Sequence, residues 1–422
     1  MLKSVAVVLR GSIAAQLIAI LVLPILTRTL SSEAFGEVQL FQAILAVLLV
    51  VVTLRFDVAL LNAEEGDEAR AVLRLCLLAN FLVAGLVAAA IAAAMLLHWP
   101  AFAMRVPFSL WLLPIGLLIA GIGQSFTYLA TRQADFAPSS NSKIMQSAGY
   151  AATALGIGAT APSSITLILA DIAGRVAQTA FLGSWAIRRA ADSFRSVPRQ
   201  KIVAAAIRYR EFPLVSIPGG LLNAAGSALA PLLVFVIYGA ATTGQFGIAD
   251  RSLGLPVGLV VLATSQVYSA QFSRAWRARS GDIRRQFWQL IGVMFGLGIV
   301  PFATVMAIGP TLFAFVFGPQ WESAGQYARI MAPVYLAAFT MGPVNMTLVL
   351  MERQRFQLAW EAGRLALLGL PWLLIVRDHL AIERGLILYA AAAVVANLAF
   401  LLVSDRELKI AKARFAEAGA TA

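Results

Sequence analysis

Apolar runs of helix length, separated by short connections that hold most of the charge, recur twelve times in this chain of 422 residues. A bilayer crossing needs about 20 mostly apolar residues in a helix, because lipid offers the backbone no hydrogen-bond partner outside the helix itself. The runs cover 5–29, 38–61, 71–97, 108–130, 144–160, 164–187, 212–238, 246–271, 287–317, 327–351, 356–376 and 385–403. Composition agrees with lipid as the solvent: 60% of residues are hydrophobic, 13% are charged and mean hydropathy is +0.82. A soluble domain carries about 25% charged residues, so a soluble enzyme is excluded. A formal charge of +12 would suit nucleic acid, but the basic residues stand in short runs between apolar stretches. That is how a multi-spanning membrane protein carries its charge, and no nucleic-acid partner is expected. The single cysteine, Cys76, excludes an intrachain disulfide and a cysteine-based metal site. No cleavable signal peptide is expected, since the first run contains Arg10 and no small-residue cleavage site follows it.

An even number of spans puts both termini on one side. With the termini cytoplasmic, 25 Lys and Arg residues fall inside and five outside (Arg28, Arg105, Arg329, Arg377 and Arg384). Arg175, Arg251 and Arg364 fall within spans. This bias sets the expected orientation. The longest cytoplasmic connection, 188–211, carries seven basic residues and divides six spans from six. Within it Pro198 suits a helix start, and Ile202, Val203, Ala206 and Ile207 form an apolar stripe beside Lys201, Arg208 and Arg210. Such a helix would lie in the membrane interface against anionic lipid.

The expected architecture is an all-α integral membrane fold, twelve transmembrane helices in two six-helix halves around a central cavity. The N-terminal bundle would be 1–195, the basic linker with its interfacial helix 196–211, the C-terminal bundle 212–404 and the cytoplasmic tail 405–422. A weak internal repeat supports the halving: 29–41 (TLSSEAFGEVQLF) and 240–252 (AATTGQFGIADRS) share Phe35-Gly36 and Phe246-Gly247, offset by 211 residues. Six spans separate the equivalents, so the symmetry axis would run along the membrane normal, and rocking one bundle against the other would give alternating access.

Charge inside the spans marks the candidate sites. An Arg at a helix centre costs about 2.5–3.5 kcal/mol on insertion scales. Asp171 and Arg175 are four residues apart on one helix face, which fits a self-neutralised structural pair or a coupling element; Glu361 and Arg364 read similarly. Arg251 has no acid three or four residues away, and its neighbour Asp250 points about 100° away round the helix. A guanidinium fork suits an anion that accepts two hydrogen bonds in a cavity of reduced dielectric. Arg10, Arg28 and Arg55 stand at the ends of the first two spans. Arg10 and Arg55 equally suit snorkelling to the cytoplasmic interface, whereas Arg28 at an outer end invites a role in release. Gln16, Gln39, Asn80, Gln124, Asn223 and Gln266 occupy positions where a hydrogen bond between helices is the default, and recognition of a polar ligand would use such groups too. The run Glu64, Glu65, Asp67 and Glu68 reads as a solvated loop, and His98 and His379 have no second ligand in reach, so neither a metal site nor a cofactor is expected. The absence of a G-x-x-x-x-G-K-[ST] motif argues against ATP hydrolysis.

Several stretches resemble one family. The run 246–258 (FGIADRSLGLPVG) resembles the F/W-x-x-A-D-R-L-x-x-L-P-x-G pattern that opens the eighth span of polyprenyl-linked saccharide flippases, with Ser252 and Leu253 blurring one position. The stretches 23–36 (LPILTRTLSSEAFG), 55–60 (RFDVAL) and 317–333 (FGPQWESAGQYARIMAP) look like O-antigen and exopolysaccharide exporters, the last most specifically because Trp321 and Glu322 fall in an outer loop. The chain thus resembles, over nearly its whole length, the polysaccharide flippases of the multidrug/oligosaccharidyl-lipid/polysaccharide exporter superfamily. The resemblance implies movement of an undecaprenyl-diphosphate-linked oligosaccharide from the cytoplasmic to the outer leaflet of a bacterial inner membrane, for cell-surface polysaccharide synthesis. It implies a polysaccharide polymerase and glycosyltransferases as partners, and a substrate site built from Arg251, Asp250, Arg10, Arg28, Arg55, Gln16 and Asn223. The alternative within the superfamily is a multidrug/cation antiporter, which would need a cavity acid such as Asp171. A membrane enzyme is disfavoured, since the outer connections are too short for a folded catalytic lid.

Overall fold

The computed structural model describes residues 2–97, 108–158, 161–278, 282–351 and 353–420; His98 and Arg105 lie outside them. Among the described residues the fold is all-helical, without strands. In chain order the helices are α1 (Leu2–Thr29), α2 (Ser32–Val51), α3 (Phe56–Asn62), α4 (Asp67–Leu96), α5 (Leu113–Arg132), α6 (Phe136–Gly158), α7 (Ser164–Arg189) and α8 (Arg199–Arg208). They continue as α9 (Ile217–Tyr238), α10 (Ala240–Arg277), α11 (Ile283–Phe317), α12 (Glu322–Met341), α13 (Thr347–Leu350), α14 (Gln354–Asp378) and α15 (Ile382–Ala420).

Among the described residues, ten helical segments are long and apolar enough to cross a membrane. An eleventh is the bent pair Phe212–Gly226 and Ala228–Tyr238, whose halves meet at 55°. The twelfth expected run, 144–160, falls in α6, which has 23 residues but is not among these segments. Its first turns carry Ser139, Ser140, Asn141, Ser142 and Lys143, and it is packed between α1 and α7. Ser140 and Ser142 are buried against protein, and Lys143, itself exposed, donates through Nζ to Ser12 Oγ on α1 at 3.0 Å. Elsewhere the outward faces are apolar, with Leu21, Leu96 and Phe315 each at least 70% exposed. Contiguous exposed apolar surface on this scale belongs in a bilayer. The protein is a multi-pass membrane protein.

Four features depart from a plain reading of the apolar runs. The run 38–61 is not one helix: α2 ends at Val51, α3 starts at Phe56, and between them Leu54 (φ 49°) and Arg55 (φ 61°) take the left-handed conformation. That conformation is rare for residues with a Cβ, and here it turns Asp57 inward. Second, the run 246–271 is the middle of a longer helix, α10, which continues through Pro256. Third, residues 405–420 are no loose tail but the continuation of α15, with Leu408 fully buried and Asp405 and Glu407 nearly so. Fourth, α8 forms where expected, but its protein-facing side is Ile202, Ala205 and Tyr209, while Val203 and Ile207 are exposed.

The acidic run before α4 explains how α8 is held. Arg208 pairs with Glu64 at 3.0 Å and Glu68 at 3.1 Å, Lys201 pairs with Asp67, and the Tyr209 hydroxyl donates to Glu68 at 2.8 Å. Lys201 and Arg208 therefore meet protein carboxylates where lipid headgroups were expected, and the acids are a docking clamp where a solvated loop was expected. Burial, together with the Glu68 hydrogen bond, pushes the Tyr209 phenol above its ordinary value.

By packing, the chain divides into two compact units, Met1–Gly244 and Gln245–Ala422. In the first, α9 packs on α2, and the start of α10 crosses the start of α2 with backbone against backbone. A Cβ on Gly36 would clash with the Ala240 carbonyl, and one on Gly244 with the Ser32 carbonyl. These two glycines belong to the segments 29–41 and 240–252 that show the internal repeat. The second unit has a core of Tyr268, Phe272, Ile283, Phe287, Ile291 and Leu408, closing the ends of α10, α11 and α15 together.

Candidate functional site

In the first unit the break after α2 creates a polar cluster. Asp57 is fully buried: its Oδ1 accepts from the Val58 backbone at 2.9 Å and its Oδ2 from Gln124 Nε2 of α5 at 2.5 Å. Burying a carboxylate is costly unless donors surround it, and the left-handed turn at Leu54 and Arg55 is what delivers it to them. Two residues earlier, Arg55 is half-buried against α9. Gly220 makes the approach feasible, because any Cβ there would collide with the guanidinium. Arg55 Nε is buried without a hydrogen-bond partner among the described residues. Asn223, one turn beyond Gly220 on the same face of α9, is exposed. The structure thus gathers Arg55, Gly220 and Asn223 in one place. Asp57 is a candidate that the sequence reading missed, although an acid inside the apolar run 38–61 was itself a signal.

Asp171 and Arg175 are joined as their spacing suggests, Nε to Oδ2 at 2.7 Å, and both are largely buried on α7. Gln42 of α2 donates to the other carboxylate oxygen at 3.1 Å, so the pair also ties two helices. Glu361 and Arg364 pair at 3.2 Å on α14. On α1, Arg10 and Arg28 are exposed near its two ends, and Gln16 between them is half-buried with Oε1 lacking a partner among the described residues. Asn80 of α4 donates to the Leu118 carbonyl at 2.9 Å, the helix-to-helix bond its position suggested.

In the second unit the family-like segment lies at the start of α10. Tyr335 of α12 donates its hydroxyl to Asp250 Oδ1, holding the carboxylate between helices. Arg251, on the next position round the helix, is half-buried. The hydrogen bond from Tyr335 was not legible in sequence, since 85 positions separate the two residues. Arg251 and Asp250 lie in one unit, and Arg55, Asp171 and Arg175 in the other.

A helical bundle of this length with cations and carboxylates held inside it defines a class of multi-pass membrane protein, and known structures give the fold. A multidrug resistance transporter of the MATE family, in the MOP superfamily, superposes with a TM-score of 0.72, covering 94% of this chain and 95% of that one at 13% identity. A MOP-superfamily transporter from Pyrococcus furiosus, described as having a binding pocket of reversed polarity, gives a TM-score of 0.54 with 97% of this chain and 96% of that one at 13% identity. The fold is that of the MOP-superfamily transporters. The chain belongs to the polysaccharide biosynthesis protein family, whose profile matches residues 25–326. The teichuronic acid biosynthesis protein TuaB of Bacillus subtilis (strain 168) is 24% identical over 268 residues, 62% of this chain. That match takes in 53% of TuaB, so the chain spans about half the length of the curated relative it matches.

Proposed function

We propose that the chain flips an undecaprenyl-diphosphate-linked oligosaccharide from the cytoplasmic to the outer leaflet of a bacterial inner membrane, by alternating access of its two halves, for cell-surface polysaccharide synthesis. The termini would be cytoplasmic, and a polysaccharide polymerase and glycosyltransferases would be its functional partners. Family membership supports the saccharide; the observation that carries the choice of an anionic ligand is Arg55. A guanidinium pressed against the backbone at Gly220, with one buried donor unmet, is stabilised by a ligand that accepts a hydrogen bond and carries negative charge. In the orientation set by the basic loops, Arg55 and Arg10 stand toward the cytoplasmic leaflet, where the diphosphate starts. Arg28 and Arg251 stand toward the outer side, where it must be released. Asp250 would position the span beside Arg251, Gln16 and Asn223 would meet the sugar, and Asp171 with Arg175 would brace α7 against α2.

The test is export of polysaccharide in a deletion strain complemented with Arg55→Lys and Arg55→Ala, normalised to protein in the membrane. Export should fall in the order wild type, Lys, Ala, with polyprenyl-linked oligosaccharide accumulating inside. Purified protein in liposomes that expels cationic dyes under a proton or sodium gradient would instead establish a cation antiporter.

A further inference from the structure

At one polar end of the second unit, the start of α11 and the end of α15 enclose a cleft of about 590 Å³ lined by Asp282, Arg284, Arg285, Trp288, Gln289 and Lys412. Both helices are membrane spans, the second spanning to Ala413, so the cleft sits where hydrocarbon gives way to water. Its charges are sorted. Asp405 is engaged by Arg284 through Nε at 2.7 Å and Nη2 at 3.3 Å, by Trp288 Nε1 at 2.7 Å and by Lys409 at 3.0 Å. Arg284 is thereby neutralised and the indole held in place. Arg285 and Lys412 are exposed, and neither pairs with an acid among the described residues. Asp282 is the one acid lining the cleft, leaving an excess of positive charge.

Directly along α11 from the cleft runs an open apolar face. Gly292 and Gly296 are exposed, and a Cβ on either would meet nothing within 4 Å, so both positions leave empty room along the helix. Val293, Leu297 and Val300 beside them are 59%, 63% and 69% exposed. Trp288, 38% exposed, stands at the junction, an amphipathic ring whose polar edge is satisfied by Asp405 and whose body faces the trench.

We propose that this cleft and trench form a binding site for an anionic glycerophospholipid of the bilayer, with Arg285 and Lys412 holding the phosphodiester, Arg284 positioned by Asp405 beside it, and an acyl chain lying over Gly292 and Gly296. A free phosphate would use the cleft but leave the trench unexplained. Arg285 and Lys412 less Asp282 leave one net positive charge in the cleft, which a phosphodiester matches and the two or more negative charges of a polyprenyl diphosphate exceed. The site is separate from Arg55 and Arg251, and does not depend on the transport reading.

The experiment is native mass spectrometry of the purified protein equilibrated with equal amounts of phosphatidylglycerol and phosphatidylethanolamine. Wild type should retain phosphatidylglycerol preferentially. The variant Arg285→Gln/Lys412→Gln should lose about 30-fold in that retention, from two headgroup charges near a membrane surface. Removing the exposed ion pair partner Arg195→Gln should change nothing. Gly292→Leu/Gly296→Leu should reduce lipid retention while leaving the headgroup cleft intact. If the double charge variant does not elute as a monodisperse species, Arg285→Gln alone is read, with about a fivefold loss expected. Equal retention of both lipids, displacement by millimolar glycerophosphate, or displacement by an equimolar polyprenyl diphosphate would each overturn the proposal.

Discussion

Gln124 holds Asp57 across 2.5 Å although 67 positions separate them, and the carboxylate it holds has no solvent exposure. Removing the donor leaves an underbonded buried charge, which costs more than removing the pair. Gln124→Leu should therefore destabilise the protein by about 1–3 kcal/mol, and Asp57→Leu/Gln124→Leu should be less destabilised than Gln124→Leu alone. Thermal unfolding in detergent measures both; a double variant at least as unstable as the single would refute the account.

Arg251 gives a second prediction. Arg251→Lys retains the charge and loses the fork, and Arg251→Ala loses both, so export per inserted molecule should fall from wild type to Lys to Ala. Tyr335→Phe, which takes the hydroxyl from Asp250, should lower export without the charge being touched. Wild-type export by a normally inserted Ala variant would remove Arg251 from the site.

The crossing of α2 and α10 is sterically unforgiving. Gly36→Leu or Gly244→Leu puts side-chain atoms into opposing backbone carbonyls, which cannot yield as a flexible side chain would. Each should sharply reduce the amount of folded protein recovered from membranes. Gly258→Ala, where a Cβ meets nothing within 4 Å, serves as the control and should be recovered at wild-type level.

Docking of α8 should weaken at alkaline pH. The folded state raises the Tyr209 phenol above its ordinary value, so it favours the protonated form. That contribution is complete below about pH 10, where the free phenol titrates, and is lost as pH rises through the raised value. A fluorophore on a cysteine introduced at Gln200, in a Cys76→Ser/Lys201→Arg background that keeps the neighbouring pair charged, should report release as pH rises above about 10. Tyr209→Phe should blunt that pH dependence.

Topology is checked by labelling single cysteines at Ser196 and Ala420 in the Cys76→Ser background. Both should resist an impermeant reagent in intact cells and react after lysis. Reaction of either in intact cells would overturn the cytoplasmic placement.

Which parts of this architecture were legible in sequence follows from distance along the chain. Among the described residues most of the membrane-spanning helices were, ten and a bent eleventh of the twelve expected, because lipid forces the backbone into helices. So was the Asp171 and Arg175 pair, since four residues along a helix bring side chains to one face whatever surrounds them. Periodicity placed α8 and an apolar stripe holding the exposed Val203 and Ile207, but not the second side, Ala205 and Tyr209, that packs on protein. The run 144–160 reads as a span, yet the helix starts earlier, at Phe136, with polar first turns that local hydropathy could not include.

Tertiary structure alone decided the rest. Asp57 with Gln124, Asp250 with Tyr335, and Arg284 with Asp405 lie 67, 85 and 121 positions apart, on helices whose adjacency no local pattern encodes. The left-handed turn at Leu54 and Arg55 is paid for by the contacts it delivers, which exist only once α5 and α9 are packed against it. Pro256, by contrast, lies inside the continuous helix α10 and ends nothing, which its residue type alone does not announce. Sequence determined which solvent each segment prefers, a property of single side chains summed over a run; the partners of the buried charges were decided by which helices meet.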